Sequence, residues 1–244
     1  FFMDSCFSKI VYFDVLNSTN DFLIQLYKQL HYQKGYTIYT EKQLQGRGRM
    51  GKQWFSDSNS LTFSFSLNSG LSNFEITILT VLGLIDLLKD YGVSALVKFP
   101  NDIIVDNKKI AGILTELVVV KRKKYVIIGI GLNVNNLSFP SGLSDVISMS
   151  QVTGIFYKKQ EVFDLLISKL EYFFFSSSRE DSDVKQKYFS HLIGFKKYIP
   201  CLIFKKKNIV KILDLQKDGF VLIQKKDSNV VERVNSRDIQ FFLN

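Results

Sequence analysis

The feature that most narrows the fold of this 244-residue chain is the order of its segments: strands and helices alternate up to Ile193, and only strands follow. Ile10 to Leu16 reads as a strand. Ser18, with Asp21 three residues on, resembles a capping box ahead of Phe22, Leu23, Leu26, Tyr27 and Leu30 on one helical face. Tyr36 to Glu41 is rich in β-formers, and Gln43 to Gln53, with three glycines and no apolar periodicity, reads as a loop. Leu61 to Leu67 alternates as a strand. Glu75 to Tyr91 reads as a helix, Ala95 to Phe99 and Ile103 to Val105 as short strands. Ile110 to Val120 and Tyr125 to Val134, joined by four charged residues, form a hairpin. Helical patterning returns from Lys158 to Phe175, and a polar stretch separates it from a further helix ending near Ile193.

Beyond that helix, Ile199 to Phe204, Ile209 to Leu213, Phe220 to Gln224, Val230 to Val234 and Ile239 to Phe242 are short β-prone runs at roughly ten-residue spacing. Such spacing suits a small barrel. A boundary near Gly194 gives an α/β domain of residues 1–194 and a β domain of residues 195–244. A hydrophobic fraction of 46% can fill a core in a chain of this size. No window approaches the ~20 uncharged apolar residues that span a bilayer, and the N-terminal residues lack the pattern of a secretory leader, so the expectation is a cytoplasmic protein without a membrane partner. Cys6 and Cys201 have no metal-ligand spacing and read as free thiols. His31 and His191 are the only histidines, which leaves little for histidine-based catalysis.

The net charge of +9 is concentrated at one end: residues 1–183 hold 19 basic and 18 acidic side chains, residues 184–244 hold 13 and 5. A lysine-rich solvated surface and attraction to an acidic partner both account for that excess.

Four segments place chemistry-bearing residues at strand ends and loops, where substrates meet a scaffold. In Gly46-Arg47-Gly48-Arg49-Met50-Gly51-Lys52-Gln53-Trp54, two guanidiniums alternate with glycines. That arrangement lets backbone fold closely around a phosphate or carboxylate, and an RNA-binding or unstructured loop would look the same. In Lys98-Phe99-Pro100-Asn101-Asp102, followed by Lys109-Ile110-Ala111-Gly112-Ile113, an amide and a carboxylate on a turn can hold a hydrated Mg²⁺ beside phosphates, although Asn-Asp is also an ordinary turn pair. Gly129 and Gly131, spaced within a β-run, mark either a bulge or a close approach of backbone to ligand. Ser18-Thr19-Asn20 alone is a helix cap.

Taken together and in this order, these segments resemble the biotin protein ligases: SerThrAsn, GlyArgGlyArg-x-Gly-x-x-Trp, Lys-x-ProAsnAsp, Lys-x-AlaGlyIle and Gly-x-Gly-x-Asn. The resemblance covers residues 10 to 135 with specific motifs and the remainder less specifically. It implies an α/β (α+β) fold: a mixed sheet flanked by helices, related to class II aminoacyl-tRNA synthetases, with a small C-terminal SH3-like β-barrel. It implies a two-step reaction in which biotin and MgATP give biotinyl-5′-adenylate and pyrophosphate, and a lysine of a biotin carboxyl carrier protein, usually that of acetyl-CoA carboxylase, then takes the biotinyl group.

Carried over by motif, Ser18, Thr19, Asn20, Gln43 and Gly46 would form the biotin pocket. Arg47 and Arg49 would close over carboxylate and phosphates, and Lys109 would bridge the carboxylate and the α-phosphate; these three form the implied catalytic set. Asn101 and Asp102 look like the metal and nucleotide end. Gly112 and Gly129 would admit ligand against the sheet, Asn133 would face the adenine and Trp54 would wall off the ligand. The loop from Gln45 to Gln53, with unpaired arginines, would be mobile until it orders over the adenylate.

Phe99 departs from the family's usual tryptophan, keeping an aromatic but losing an indole donor. No helix-turn-helix pattern precedes the first strand, so the expected type is monofunctional, without specific DNA binding, as a monomer or homodimer. A lipoate or octanoyl transferase of the same fold is the rival enzyme, and a basic nucleic-acid-binding regulator is the rival from another class.

Overall fold

The computed structural model describes residues 7–29, 35–176, 181–228 and 230–242. Its first sheet contains β1 (Lys9–Leu16), β2 (Tyr36–Gln43), β3 (Ser60–Leu67), β4 (Leu96–Lys98), β5 (Asp102–Val105), β6 (Lys108–Val120) and β7 (Lys123–Asn133). The helices are α1 (Thr19–Gln29), α2 (Asn73–Asp90), α3 (Met149–Thr153), α4 (Lys159–Phe175) and α5 (Asp181–His191). A second sheet contains β8 (Ile199–Ile203), β9 (Lys206–Leu215), β10 (Phe220–Lys225), β11 (Val231–Asn235) and β12 (Ile239–Phe241). Leu30, His31 and Cys6 lie outside the described residues.

The first sheet runs β1-β2-β3-β7-β6-β5-β4. Only β1 and β2 pair in parallel, so the sheet is mixed. Period-two alternation decides which face each residue serves. Leu61, Phe63 and Phe65 of β3 and Val126, Ile128 and Ile130 of β7 join the main core under α2 and α4. The other face is covered at one end by α1, where Leu23 and Tyr27 pack on Ile38, Val118, Tyr125 and Ile127. Beyond the N-terminal end of α1 that same face is open, and it becomes the floor of the site.

Most elements fall where hydrophobic periodicity placed them, and the differences have local causes. Helix α2 begins two residues before Glu75 because Ser72 accepts from the Glu75 N–H while the Glu75 carboxylate accepts from the Ser72 N–H, a full capping box. The hairpin turn between β6 and β7 is tighter than four residues: Lys121 and Arg122 alone carry positive φ, and Lys123 already pairs with Val120. Strand β9 extends to Lys206 because its lysines continue the ladder opposite Leu202 and Ile203. Helix α3 had no sequence expectation; it is one turn capped by Ser148 and Gln151.

The second sheet is antiparallel throughout, in the order β11-β10-β9-β8-β12. Its buried residues Cys201, Ile203, Val210, Ile223 and Phe241 belong to the same core cluster as the first sheet. Phe99, before β5, meets Phe241 of β12 with ring centroids 6.0 Å apart, edge to face. Burial is what Phe99 retains from the aromatic expected there: it is 5% exposed. No helix of the described residues is long and apolar enough to cross a membrane.

Candidate active site

Strand register brings the floor of the site together before any loop is considered. Lys98 pairs with Asp102, Asp102 with Gly112, Gly112 with Gly131, and Gly131 with Thr62, a single row across five strands. One step along, Leu114 pairs with Gly129 and Gly129 with Ser64. Residues in such rows project from the same face. Charged groups therefore stand at one end of the row, small polar groups at the other, and glycines between them.

The glycines mark a close approach and not a bulge, since β6 and β7 stay in register throughout. What approaches is the protein's own side chains. A Cβ on Gly131 would stand 2.3 Å from Cε2 of Trp54, and one on Gly129 would stand 2.2 Å from Oδ1 of Asn20. Trp54 thus lies flat on the sheet, spanning Gly131 and reaching Gly112. Its indole Nε1 is buried and has no hydrogen-bond partner.

At the polar end, the start of α1 meets β2 and β3. Ser18 accepts from the Asp21 N–H at 3.3 Å, so it does cap the helix. Thr19 donates twice to Oε1 of Gln43, from its N–H at 2.8 Å and its hydroxyl at 3.1 Å. The Ser64 hydroxyl is shared between Thr19 Oγ1 at 2.7 Å and Asn20 Oδ1 at 2.6 Å, and Asn20 donates to Glu116 at 2.7 Å. Ser18, Thr19, Asn20 and Ser64 are all buried, a cost that such networks offset only when their members are paired. Ser64 was not among the sequence candidates, although the alternation of Thr62, Ser64 and Ser66 with large apolar residues carried the signal.

The loop from Gly46 to Trp54 is tied across its base by the Trp54 N–H to the Gly46 carbonyl at 2.8 Å. Its arginines are paired, contrary to expectation. Arg47 forms a bidentate pair with Asp21 and reaches both oxygens of Glu116 at 3.1 Å; these carboxylates raise its pKa, Asp21 most of all. Arg49 donates to Asn101 Oδ1 at 3.0 Å and, across to the second sheet, to the Ser236 carbonyl at 3.2 Å. Burial lowers the Arg49 pKa, the neighbouring Arg237 adding to the effect and Asp102 opposing it. Arg49, a largely buried guanidinium with Arg237 nearby, calls for an anion.

Lys109 is ion-paired to Asp102 at 2.6 Å, and its ammonium lies 5.5 Å from the Trp54 ring centroid. Burial lowers the pKa of Lys98, reinforced by the nearby Lys52 and Lys109 and opposed by Asp102 and Asp145. Asn101 is committed twice, donating to the Ile113 carbonyl at 2.7 Å and accepting from Arg49. Asn133 does not line the cavity: its amide donates to the carbonyls of Ile147 at 3.1 Å and Lys109 at 3.5 Å, bracing the backbone of Lys109.

All the other candidates except Gly46 line one cavity of about 240 Å³: Ser18, Thr19, Asn20, Gln43, Arg47, Arg49, Trp54, Asn101, Asp102, Lys109, Gly112 and Gly129. Gly46 sits just behind them, its Cβ position 2.9 Å from Gln43 Nε2 and 2.4 Å from the Trp54 carbonyl. The second sheet completes the wall with Lys205, Ser236 and Arg237, which no local sequence pattern singled out. Counting Arg49, Lys52, Lys98, Lys109, Lys205 and Arg237 against Asp102 and Asp238, the cavity wall on that side carries a surplus of positive charge. Among the described residues no group of three His, Cys, Asp or Glu side chains could enclose a metal.

The fold, a mixed sheet flanked by helices and followed by a second, antiparallel sheet, is shared with solved ligases. The biotin protein ligase of Aquifex aeolicus, solved in complex with biotin and ATP, superposes with a TM-score of 0.81, covering 98% of this chain and 100% of that one at 23% identity. The model of the biotin/lipoate A/B protein ligase family matches residues 12–133, and this chain belongs to that family. The bifunctional ligase/repressor BirA of Bacillus spizizenii is 35% identical over 154 residues, 59% of this chain and 47% of that protein. Biotin–protein ligase 2 of Arabidopsis thaliana is 27% identical over 174 residues, 68% and 52% of the two chains. The chain thus spans about half the length of the curated relatives it matches.

Proposed function

We propose that this protein is a biotin protein ligase that activates biotin with ATP and transfers it to a lysine of a biotin carboxyl carrier protein. The observation that carries this reading is the polarity of the cavity: an uncharged hydrogen-bonding pocket at Ser18, Thr19, Asn20 and Gln43, and a cationic pocket at Arg49, Lys98 and Lys109, joined across Trp54. A ureido head group needs fixed donors and acceptors without net charge, whereas a triphosphate needs cations. The head group would displace part of the Thr19–Gln43 pairing. An acceptor on the ligand would satisfy the orphan Trp54 N–H.

In the first step a carboxylate oxygen attacks the α-phosphorus and pyrophosphate leaves. Two anions must meet, so fixed cations at the meeting point lower the barrier. Lys109 would serve here, its backbone braced by Asn133 and its ammonium held by Asp102, with Arg49 lining the same cavity. In the second step a lysine amine attacks the acyl carbon, AMP leaves, and the nitrogen gives up its proton. Mg²⁺ commonly binds through one or two protein oxygens plus phosphate and water. The donor set fits that pattern only after bound phosphate draws off the cations now paired to it: Asn101 Oδ1, released by Arg49, and the Asp102 carboxylate, released by Lys109, would then hold the ion, which supplies neutralisation of phosphate charge.

The family includes lipoate enzymes, so the deciding experiment compares acids. Biotin with MgATP should stabilise the protein against heat, by about 2.7 kcal/mol at a hundred times the dissociation constant. Biotin should also drive exchange of pyrophosphate into ATP. Stabilisation and exchange with octanoate or lipoate, and none with biotin, would transfer the protein to the lipoate branch.

A further inference from the structure

Two turns of the second sheet pack on each other at the cavity mouth. One, Phe204-Lys205, joins β8 to β9; the other, Ser236-Arg237-Asp238, joins β11 to β12. The Phe204 N–H donates to the Asp238 carbonyl at 3.0 Å, and Lys205, Ser236 and Arg237 line the cavity.

Phe204 and Lys205 have φ of 46° and 64°, the positive values of a two-residue hairpin turn that favours Asn-Gly. A bulky side chain is disfavoured in that conformation. Turn geometry therefore does not explain the phenylalanine, and neither does burial, since Phe204 is 66% exposed. Lys205, Lys206 and Lys207 follow it, all exposed, and among the described residues none of them has an ion-pair partner. An aromatic that the fold does not use, set in uncompensated positive charge at the edge of a reaction cavity, has the makings of a contact for something outside.

We propose that this hairpin tip, Phe204 with Lys206 and Lys207, docks the acidic protein domain that presents the acceptor lysine. The inference rests on the ligase reading above. That reaction requires a macromolecular amine to reach the cavity mouth, where the tip already stands. Exposed aromatics anchor protein contacts, and clustered lysines speed the approach of an acidic partner. A nucleic acid bound at the same place would obstruct the mouth.

Two variants test it without touching the cavity lining. Phe204→Asn suits positive φ and so should keep or raise the melting temperature while removing the aromatic. Lys206→Glu/Lys207→Glu reverses the charge. The probe is a purified biotin carboxyl carrier domain, and the readouts are its KM in biotin transfer and the rate of biotin-dependent ATP–pyrophosphate exchange. Each variant should raise the carrier KM about tenfold, with exchange at the parent rate. A carrier KM unchanged in both variants overturns the proposal, and so does exchange that falls in step with transfer. Equally damaging would be an oligonucleotide that binds the parent, is released by both variants, and leaves carrier KM as it was. A parent protein without biotin-dependent exchange would instead defeat the ligase reading and the docking surface with it.

Discussion

Lys109 reaches the cavity with its ammonium against Asp102 and its backbone held on three sides, by the Asp145 carbonyl, the Ile147 N–H and the Asn133 amide. Replacing Lys109 with alanine should slow biotin-dependent pyrophosphate release by about 10²- to 10⁴-fold, the scale of losing a preorganised transition-state donor. Stability should change little, because the ion pair is partly solvated, the Asp102 side chain being 26% exposed. Undiminished pyrophosphate release would remove Lys109 from the mechanism. The spacing of Asn133 after two glycines is legible in the sequence, but that its amide turns to the Lys109 backbone depends on how the loop at residues 145–147 folds back on Lys109.

At the scale of the element, the arginine loop differs most from expectation. Glycine content and charge predict a loop, and a loop it is. Sequence could not reveal that its arginines would find Asp21, Glu116 and Asn101, since these partners lie on α1, β6 and the turn before β5. The loop is therefore tethered in the free protein, with Arg49 as the strut that reaches both sheets. Replacing Arg49 with glycine removes two hydrogen bonds and loosens the backbone, so adenylate should still form but escape before transfer. Free adenylate reveals itself by labelling lysines on an unrelated bystander protein. Should the variant make adenylate yet label bystanders no more than the parent does, Arg49 is no clamp.

At the scale of the whole molecule, the two sheets share one core, which contains Phe99 from the first and Phe241, Ile223 and Val210 from the second. The proposed boundary near Gly194 is a joint without a gap: Gly194 has φ of 82°, and a Cβ there would stand 2.2 Å from Ile199. Apolar contact across a joint couples the stability of its two sides. Heating should accordingly give one calorimetric transition with equal calorimetric and van't Hoff enthalpies. Two resolved transitions, or a stably folded chain ending at residue 194, would show the sheets to be independent.

Local signals along the chain account for the elements and the chemistry on offer. Alternation located the strands, apolar periodicity the helices, and the clustered Gly, Arg, Lys and Asn-Asp motifs named most of the residues that line the cavity, because these signals depend on near neighbours along the chain. Long-range packing set the rest: which glycine faces which side chain, which carboxylate holds which arginine, that Ser64 backs Thr19 and Asn20, and that Lys205, Ser236 and Arg237 complete the wall. Those outcomes follow from strand register and from the docking of one sheet on another, and contacts between residues tens of positions apart or more leave no periodic trace in a single sequence.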